Sequence, residues 1–112
     1  MAVIVYADDP NQFTETLQRI FDDGDVKAWI RDDDGDYTHS PSQWIQMAWF
    51  RIRPPEMDRV VFSLLGAKGM KMSTEVYAVY HGRFIEMLLT HLDHEFSDVE
   101  ATAQRHPRDR FS

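Results

Sequence analysis

Short apolar or alternating stretches recur along this chain, and they predict β-strands. Runs of about four to eight such residues, bounded by Gly, Pro, Asp or Asn, are typical of strands. They occur at residues 2–6, 26–31, 36–39, 46–53 and 59–65. The first run is apolar throughout, which favours a position inside the sheet. Asp34 and Gly35 separate the second run from the third, and this dipeptide favours a tight hairpin turn between antiparallel strands.

The segment after the first strand has helical spacing. Asp9 fits an N-cap, Pro10 fits the first helical position, and Gln12 completes a capping box. Gly24 lies where a helix C-terminus favours glycine. The apolar residues of this segment share one helix face: Phe13, Leu17, Ile20 and Phe21. The sequence therefore predicts an amphipathic helix between Asp9 and Gly24.

Residues 74–96 form the segment around which the rest of the chain is expected to pack. Residues 76–80 are apolar or aromatic on both alternating sides, which favours a strand covered on both faces. Beyond Gly82, apolar residues return at helical spacing: Phe84, Ile85, Leu88, Leu89, Leu92 and Phe96. We therefore predict a strand that runs into the main packing helix.

A single helix over residues 74–92 is the alternative. Ser73 would cap it, and apolar residues do recur every four positions: Val76, Tyr80, Phe84 and Leu88. We prefer the strand because residues 76–80 are apolar on all sides and because a glycine inside a helix lowers its stability. After the main helix, Ser97 and Glu100 would cap a short helix that reaches residue 104.

Apart from the short run at residues 36–39, the predicted element order is β-α-β-β-β-β-α. Short connections between successive strands favour a mostly antiparallel sheet of four to five strands, with two main helices packed on one face, which is the α+β class. The length of 112 residues predicts a single domain, residues 1–104, followed by a polar C-terminal tail at residues 105–112.

The sheet face opposite the two helices is expected to collect aromatic and cationic side chains. The residues assigned to it are Trp29, Arg31, Trp49, Arg51 and Tyr77. Trp, Tyr and Arg are enriched where proteins bind other proteins, and an exposed apolar patch on a small protein marks an interaction site. We therefore predict a homodimer interface. The alternative is that the chain covers this face itself, by curling or with residues 41–45.

The negative net charge of the chain limits the classes of molecule that it is expected to bind. The net charge is −7, and residues 22–36 contain seven of the 19 acidic side chains. This surface would attract a basic protein partner. It disfavours nucleic acid, including base stacking on the sheet, because phosphate attraction dominates such binding. No stretch has the length of a membrane span or the features of a signal peptide. The absence of cysteine excludes disulfides and fits a cytoplasmic protein.

An anion site is predicted around Tyr80, His81 and Arg83, at the expected junction of strand and helix. The N–H groups of a helix N-terminus, together with Arg83 and His81, would hold a phosphate or carboxylate. Glu75, Glu86 and His39 would supply acid–base groups only if the fold brings them close. The alternative is junction packing, with Arg83 paired to Glu86 or Asp93.

Neither metal ligation nor catalysis has a recognisable signature. His91 and His94 lie one helical turn apart, but a solvated helix end explains them better. The aspartate-rich turn lacks ligands at the first and last positions of a calcium loop, which are Ile30 and Pro41. We predict no metal and no cofactor. No nucleophile or phosphate-loop motif is present, which favours binding over catalysis.

The sequence thus predicts a small acidic binding or interaction module, of a regulator, inhibitor or immunity type, that acts as a homodimer. The alternative is a domain, or a minor enzyme, that binds a small anionic ligand near His81 and Arg83.

Overall fold

The alternating stretches of the chain form a sheet, and the helical stretches pack on it. The computed structural model describes residues 2–103. Its strands are β1 (Ala2–Tyr6), β2 (Trp29–Arg31), β3 (Tyr37–His39), β4 (Ala48–Ile52), β5 (Arg59–Gly66) and β6 (Asp98–Ala101). Its helices are α1 (Pro10–Asp22) and α2 (Thr74–Leu92), and a 3₁₀ turn at Asp93–Glu95 follows α2. The predicted tail at residues 105–112 lies outside the described residues.

The strands are arranged in the order β2-β3-β4-β5-β1-β6, and every neighbouring pair is antiparallel. β1 lies inside the sheet, where Ile4 pairs with Val61 of β5 on one side and Glu100 of β6 on the other. The predicted hairpin joins β2 to β3, with Gly35 in the left-handed region at φ +82°. The α+β class is confirmed, and the sheet within residues 2–103 has six strands where four or five were predicted.

Both helices pack on one face of this sheet and form the main core with it. The strand residues on that face include Val3, Val5, Ala48, Phe50, Val60, Phe62 and Leu64. The helices contribute Phe13, Leu17, Ile20, Val76, Tyr80, Phe84, Leu88 and Leu92. The Phe84 ring stacks on Phe50 at a centroid distance of 4.5 Å and meets Phe62 edge-on at 4.9 Å. Burial of one such ring stabilises the fold by about 1.5–3 kcal/mol.

The strand predicted over residues 76–80 is wrong, because this segment belongs to α2. The Ser73 hydroxyl oxygen accepts a hydrogen bond from the Val76 backbone N–H at 3.1 Å and begins the helix. Val76 and Tyr80 are buried on its inner side, whereas Tyr77 and Val79 are half-buried. Burial of the inner side outweighs the weak strand preference of β-branched and aromatic residues.

The short helix predicted from residue 97 is also wrong, because residues 98–101 form β6. This strand pairs with β1, whose backbone would otherwise be left at the sheet edge. Val99 packs toward the core, and the Tyr6 hydroxyl donates to Glu100 Oε1 at 2.8 Å on the other face. The pairing with β1 therefore decides the structure of this segment.

Candidate ligand-binding cleft

Two of the three predicted ligand residues are part of the protein interior. Tyr80 is fully buried, and its hydroxyl donates to the Trp44 carbonyl oxygen and lies 3.1 Å from Thr38 Oγ1. His81 is 6% exposed, and its Nδ1 donates to the Tyr77 carbonyl oxygen at 2.7 Å. Residues 81–83 lie in the middle of α2, so the expected helix N-terminus beside them is absent and that basis for an anion site is wrong.

Arg83, the third predicted ligand residue, lies beside a cleft between α2 and the β2–β3 hairpin. The cleft has a volume of about 270 Å³. Its buried apolar lining consists of Val26, Trp29 and Met87. Its polar lining consists of Asp25, Lys27, His39, Arg83, Glu86, Thr90 and His91. The cleft thus combines an apolar floor with a charged rim, the arrangement typical of small-molecule sites.

His39 contributes a neutral imidazole with a fixed tautomer. Its Nδ1 lies 2.8 Å from the Ala28 carbonyl oxygen, which only accepts, so Nδ1 carries the proton. Its ring packs against the Trp29 indole at 4.7 Å. Burial lowers the pKa of His39 below 6.5, and Arg83 lowers it further; the Ala28 bond and Glu86 act in the opposite direction. At neutral pH, Nε2 is therefore unprotonated and can accept a hydrogen bond.

Arg83 keeps most of its hydrogen-bonding capacity. Its Nη1 lies 3.4 Å from both carboxylate oxygens of Glu86, and the two side chains are 58% and 64% exposed. Such a long, solvated ion pair contributes little to stability. Within residues 2–103, the other guanidinium N–H groups of Arg83 have no protein partner. The guanidinium can therefore bind a carboxylate or phosphate by two parallel hydrogen bonds.

The fold brings together only some of the acid–base residues that the sequence suggested. His39 and Glu86 line the same cleft as Arg83. The pKa of the His39 imidazole is lowered mainly by burial and also by Arg83, and Glu86 acts in the opposite direction. Glu75 does not line this cleft and is exposed in the first turn of α2. No local pattern in the sequence indicates that Trp29 and Met87 form the floor of the cleft.

Two residues assigned to the open sheet face lie on the helix-covered side instead. Trp29 is 3% exposed and contacts Tyr80 and Phe84 edge-on, with centroid distances of 5.5 and 5.0 Å. Arg31, on the same side of β2, donates to Asp22 Oδ1 at the end of α1. Within β2 the side chains do alternate, but the side that faces the helices is the opposite of the predicted one: the neighbouring Ile30 is 44% exposed. Tyr77, a third residue of that set, belongs to α2 and not to the sheet.

Trp49 and Arg51 do lie on the sheet face opposite the helices. Both are half-buried. Arg51 binds the buried Asp36 carboxylate through two hydrogen bonds, Nε–Oδ1 at 2.9 Å and Nη2–Oδ2 at 2.7 Å. Ile4 and Val61 on the same face are only 6% and 2% exposed. This face therefore exposes less apolar surface than the sequence predicted, and of the two tryptophans assigned to it only Trp49 is there.

The aspartate cluster of the β2–β3 turn is explained by its own hydrogen bonds. The carboxylates of Asp32, Asp34 and Asp36 approach within 4.8 Å. Asp32 Oδ1 accepts from the backbone N–H of Asp34 at 3.0 Å and of Asp36 at 2.9 Å, which shapes the turn. The two histidines weighed as metal ligands are separated: His91 lines the cleft, whereas His94 lies beside a different depression next to Asp8 and Asp9.

Protein-family models, curated protein sequences and solved structures were compared with this chain, and none matches it significantly. Neither helix in the part of the chain that the structure describes is long and apolar enough to cross a bilayer. The cleft geometry is accordingly the main guide to function.

Proposed function

We propose that this protein is a small acidic binding module that holds a small anionic ligand in the cleft between α2 and the β2–β3 hairpin. The observation that carries this proposal is the meeting of Arg83 and the neutral His39 above the Trp29 indole. The guanidinium would pair with a carboxylate or phosphate, and the imidazole Nε2 would accept from a ligand hydroxyl or amide. The indole would cover the apolar body of the ligand.

The size and chemistry of the cleft favour binding of a metabolite-sized molecule. A volume of about 270 Å³ suits a ligand with one ring or a short chain. Lys27 and Arg83 supply two positive charges at this place, beside the carboxylates of Asp25 and Glu86. A single neutral imidazole beside Arg83 and Glu86 does not make a nucleophilic or metal-assisted catalytic set. We therefore favour a binding role in the cytoplasm over catalysis.

The first test uses benzoate and inorganic phosphate as probes, with binding followed by NMR. We expect benzoate to shift the His39 ring and Trp29 indole resonances. Arg83→Ala should weaken this binding about tenfold or more, because a charge-assisted hydrogen bond contributes about 1.5–3 kcal/mol. Arg19→Ala is the matched control, since Arg19 is an exposed arginine of α1 that does not line the cleft.

Two results would contradict the ligand proposal. One is that neither probe perturbs the His39 and Trp29 resonances at millimolar concentration. The other is that Arg19→Ala and Arg83→Ala reduce binding equally, which would indicate a general charge effect. Stronger binding of phosphate than of benzoate would identify the anion class while leaving the site in place.

A second candidate function is recognition of a basic protein by the acidic segment at residues 22–36. The observation that favours it is that five aspartates of this segment are exposed: Asp22, Asp23, Asp25, Asp33 and Asp34. A partner bound there would be released by salt, because exposed charges are screened. A pull-down that retains its partner at high salt would argue against this surface. This proposal involves neither nucleic acid nor a membrane as a partner.

A further inference from the structure

Helix α2 carries a second apolar seam on its solvent side. Ala78, Gly82, Ile85 and Leu89 follow one another at spacings of four, three and four residues. This is the spacing of a helix that packs lengthwise against another helix. The opposite side of α2 is already buried in the core. A helix that is apolar on both sides is typical of one with a neighbour on each side. Within residues 2–103, α2 contacts the sheet and α1, while Ala78, Gly82 and Leu89 stay exposed.

The exposed seam has the shape of a surface that a second helix can approach closely. Ala78 and Gly82 are exposed and Leu89 is 50% exposed, whereas Ile85 is half-buried and also packs against the main core. A shallow depression of about 390 Å³ covers the small residues, lined by Ala78, Val79, Gly82, Arg83 and Glu86. Small residues followed by larger ones along one line give this face a hollow at one end and a ridge at the other.

Gly82 has no role within the single chain that would require glycine. A Cβ at this position would meet nothing within 4 Å, and the backbone φ is not in the left-handed region. Glycine in a helix interior costs about 1 kcal/mol relative to alanine. Close approach of another backbone is one of the few reasons to keep glycine at such a place. The occupant of the seam should therefore reach the α2 backbone at Gly82.

We propose that this occupant is α2 of a second copy of the chain, packed antiparallel about a twofold axis near residues 83 and 84. In this arrangement Leu89 lies opposite Ala78 of the partner subunit, and Ile85 lies opposite Gly82 of the partner subunit. Each large side chain thus meets a small one, and the twofold axis repeats both contacts. Such self-complementarity is what an isologous dimer requires.

Charge supports the same arrangement. Arg83 and Glu86 lie on the same flank of the seam, and their contact within one chain is long at 3.4 Å. In the antiparallel pair, Arg83 approaches Glu86 of the partner subunit, and the symmetry makes this contact twice. This inference does not depend on the proposed ligand, because the seam residues Ala78, Ile85 and Leu89 do not line the cleft.

The test is the oligomeric state of the full chain, measured by sedimentation equilibrium over a range of micromolar concentrations. We expect a concentration-dependent dimer that Leu89→Asp converts to a monomer. Trp49→Ala is the control, because it alters the opposite sheet face and should leave the dimer intact. A wild-type chain that stays monomeric would overturn the inference. So would a dimer that Trp49→Ala disrupts and Leu89→Asp does not.

Gly82→Ala gives a second readout that a folding defect cannot imitate. The added methyl group meets nothing in the single chain, so the monomer should melt at a higher temperature in dilute solution. The same methyl group should weaken the dimer about tenfold, because it separates the two helices. A Gly82→Ala dimer as tight as wild type would contradict close helix packing at this residue.

Discussion

At the residue scale, His39 links the fold to the cleft. Its Nδ1 bond to Ala28 ties the end of β3 to the residue before β2, and its ring shares the interior with Trp29. Burial disfavours the charged form of such a group. The imidazole is therefore held neutral by the same packing that forms the cleft floor.

This burial predicts a specific response to pH. Because the pKa of His39 is below 6.5 in the folded chain, the unfolded chain binds the proton first as pH falls. Above pH 6.5 the ring is neutral in both states and its contribution to stability is fully present. That contribution should decline as the pH falls from 6.5 through the folded-state pKa. NMR titration of the His39 ring protons should give a pKa below 6.5.

His39→Asn is the control for that titration, since an asparagine amide can still donate to the Ala28 carbonyl oxygen. Its melting temperature should depend less on pH below 6.5 than that of the wild type. A ring that titrates at or above 6.5 would show that His39 is not held neutral by burial. Asp25, Lys27, Arg83, Glu86 and His91 line the same cleft, so salt should be held constant in both titrations.

Trp29 shows where residue-level prediction fails. Alternation over residues 26–31 indicates a strand, which the structure forms only at Trp29–Arg31, and it does not say which side faces the helices. Burying the indole removes more apolar surface from water than burying Ile30, and this favours the orientation that occurs. The deciding contacts, with Tyr80 and Phe84, come from α2 and are invisible in the local pattern.

At the element scale, α1 is the best-predicted part of the chain because its signals are local. Asp9 Oδ1 accepts from the Gln12 backbone N–H at 3.0 Å, and Pro10 occupies the first turn, as the sequence indicates. The apolar stripe contributes Phe13 and Leu17 to the core. Such a helix can be predicted from its own sequence, without knowing what it packs against.

The Asp9 cap of α1 leads to a prediction about stability. Asp9→Ala should lower the free energy of unfolding by about 1 kcal/mol, because the Gln12 N–H loses its acceptor. Chemical denaturation of both variants would measure the effect. Asp8→Ala is the matched control, since Asp8 is an exposed neighbouring aspartate outside the helix. Equal effects of the two substitutions would indicate that net charge, and not the cap, is responsible.

Helix α2 and strand β6 were mispredicted for non-local reasons. In the first part of α2 the outer residues Tyr77, Ala78 and Val79 are as apolar as the inner residues Val76 and Tyr80, so residues 76–80 resemble a strand covered on both faces. Strand β6 forms because β1, near the other end of the sequence, has a free edge to pair with. Neither influence can be read from the segment itself. Local helix propensity likewise indicates a break at Gly82, although this residue lies on the exposed side of α2.

At the scale of the whole molecule, the fold class followed from the order of elements, but the cleft did not. His39 comes from the hairpin, and Arg83 and Glu86 come from α2, and only the packing of α2 against the end of the sheet brings them together. The sequence identifies these residues as candidate ligand or acid–base residues, on the condition that the fold brings them close together. It could not indicate which of them would meet.

Arg83 lies beside both the cleft and the depression over the α2 seam. One guanidinium cannot fully serve a bound anion and Glu86 of the partner subunit at once. Occupancy of the cleft and self-association should therefore oppose each other. By thermodynamic reciprocity, each should weaken the other by the same factor, typically about fivefold or more.

Titration calorimetry of benzoate at low and high protein concentration would measure this antagonism. We expect tighter binding in dilute solution, and concentration-independent binding for Leu89→Asp. Identical affinities at both concentrations for a wild-type chain that does dimerise would show that the two processes are independent. If they are coupled, the fraction of protein able to bind the anion would rise as the protein concentration falls. A high concentration of the protein would then itself limit anion binding.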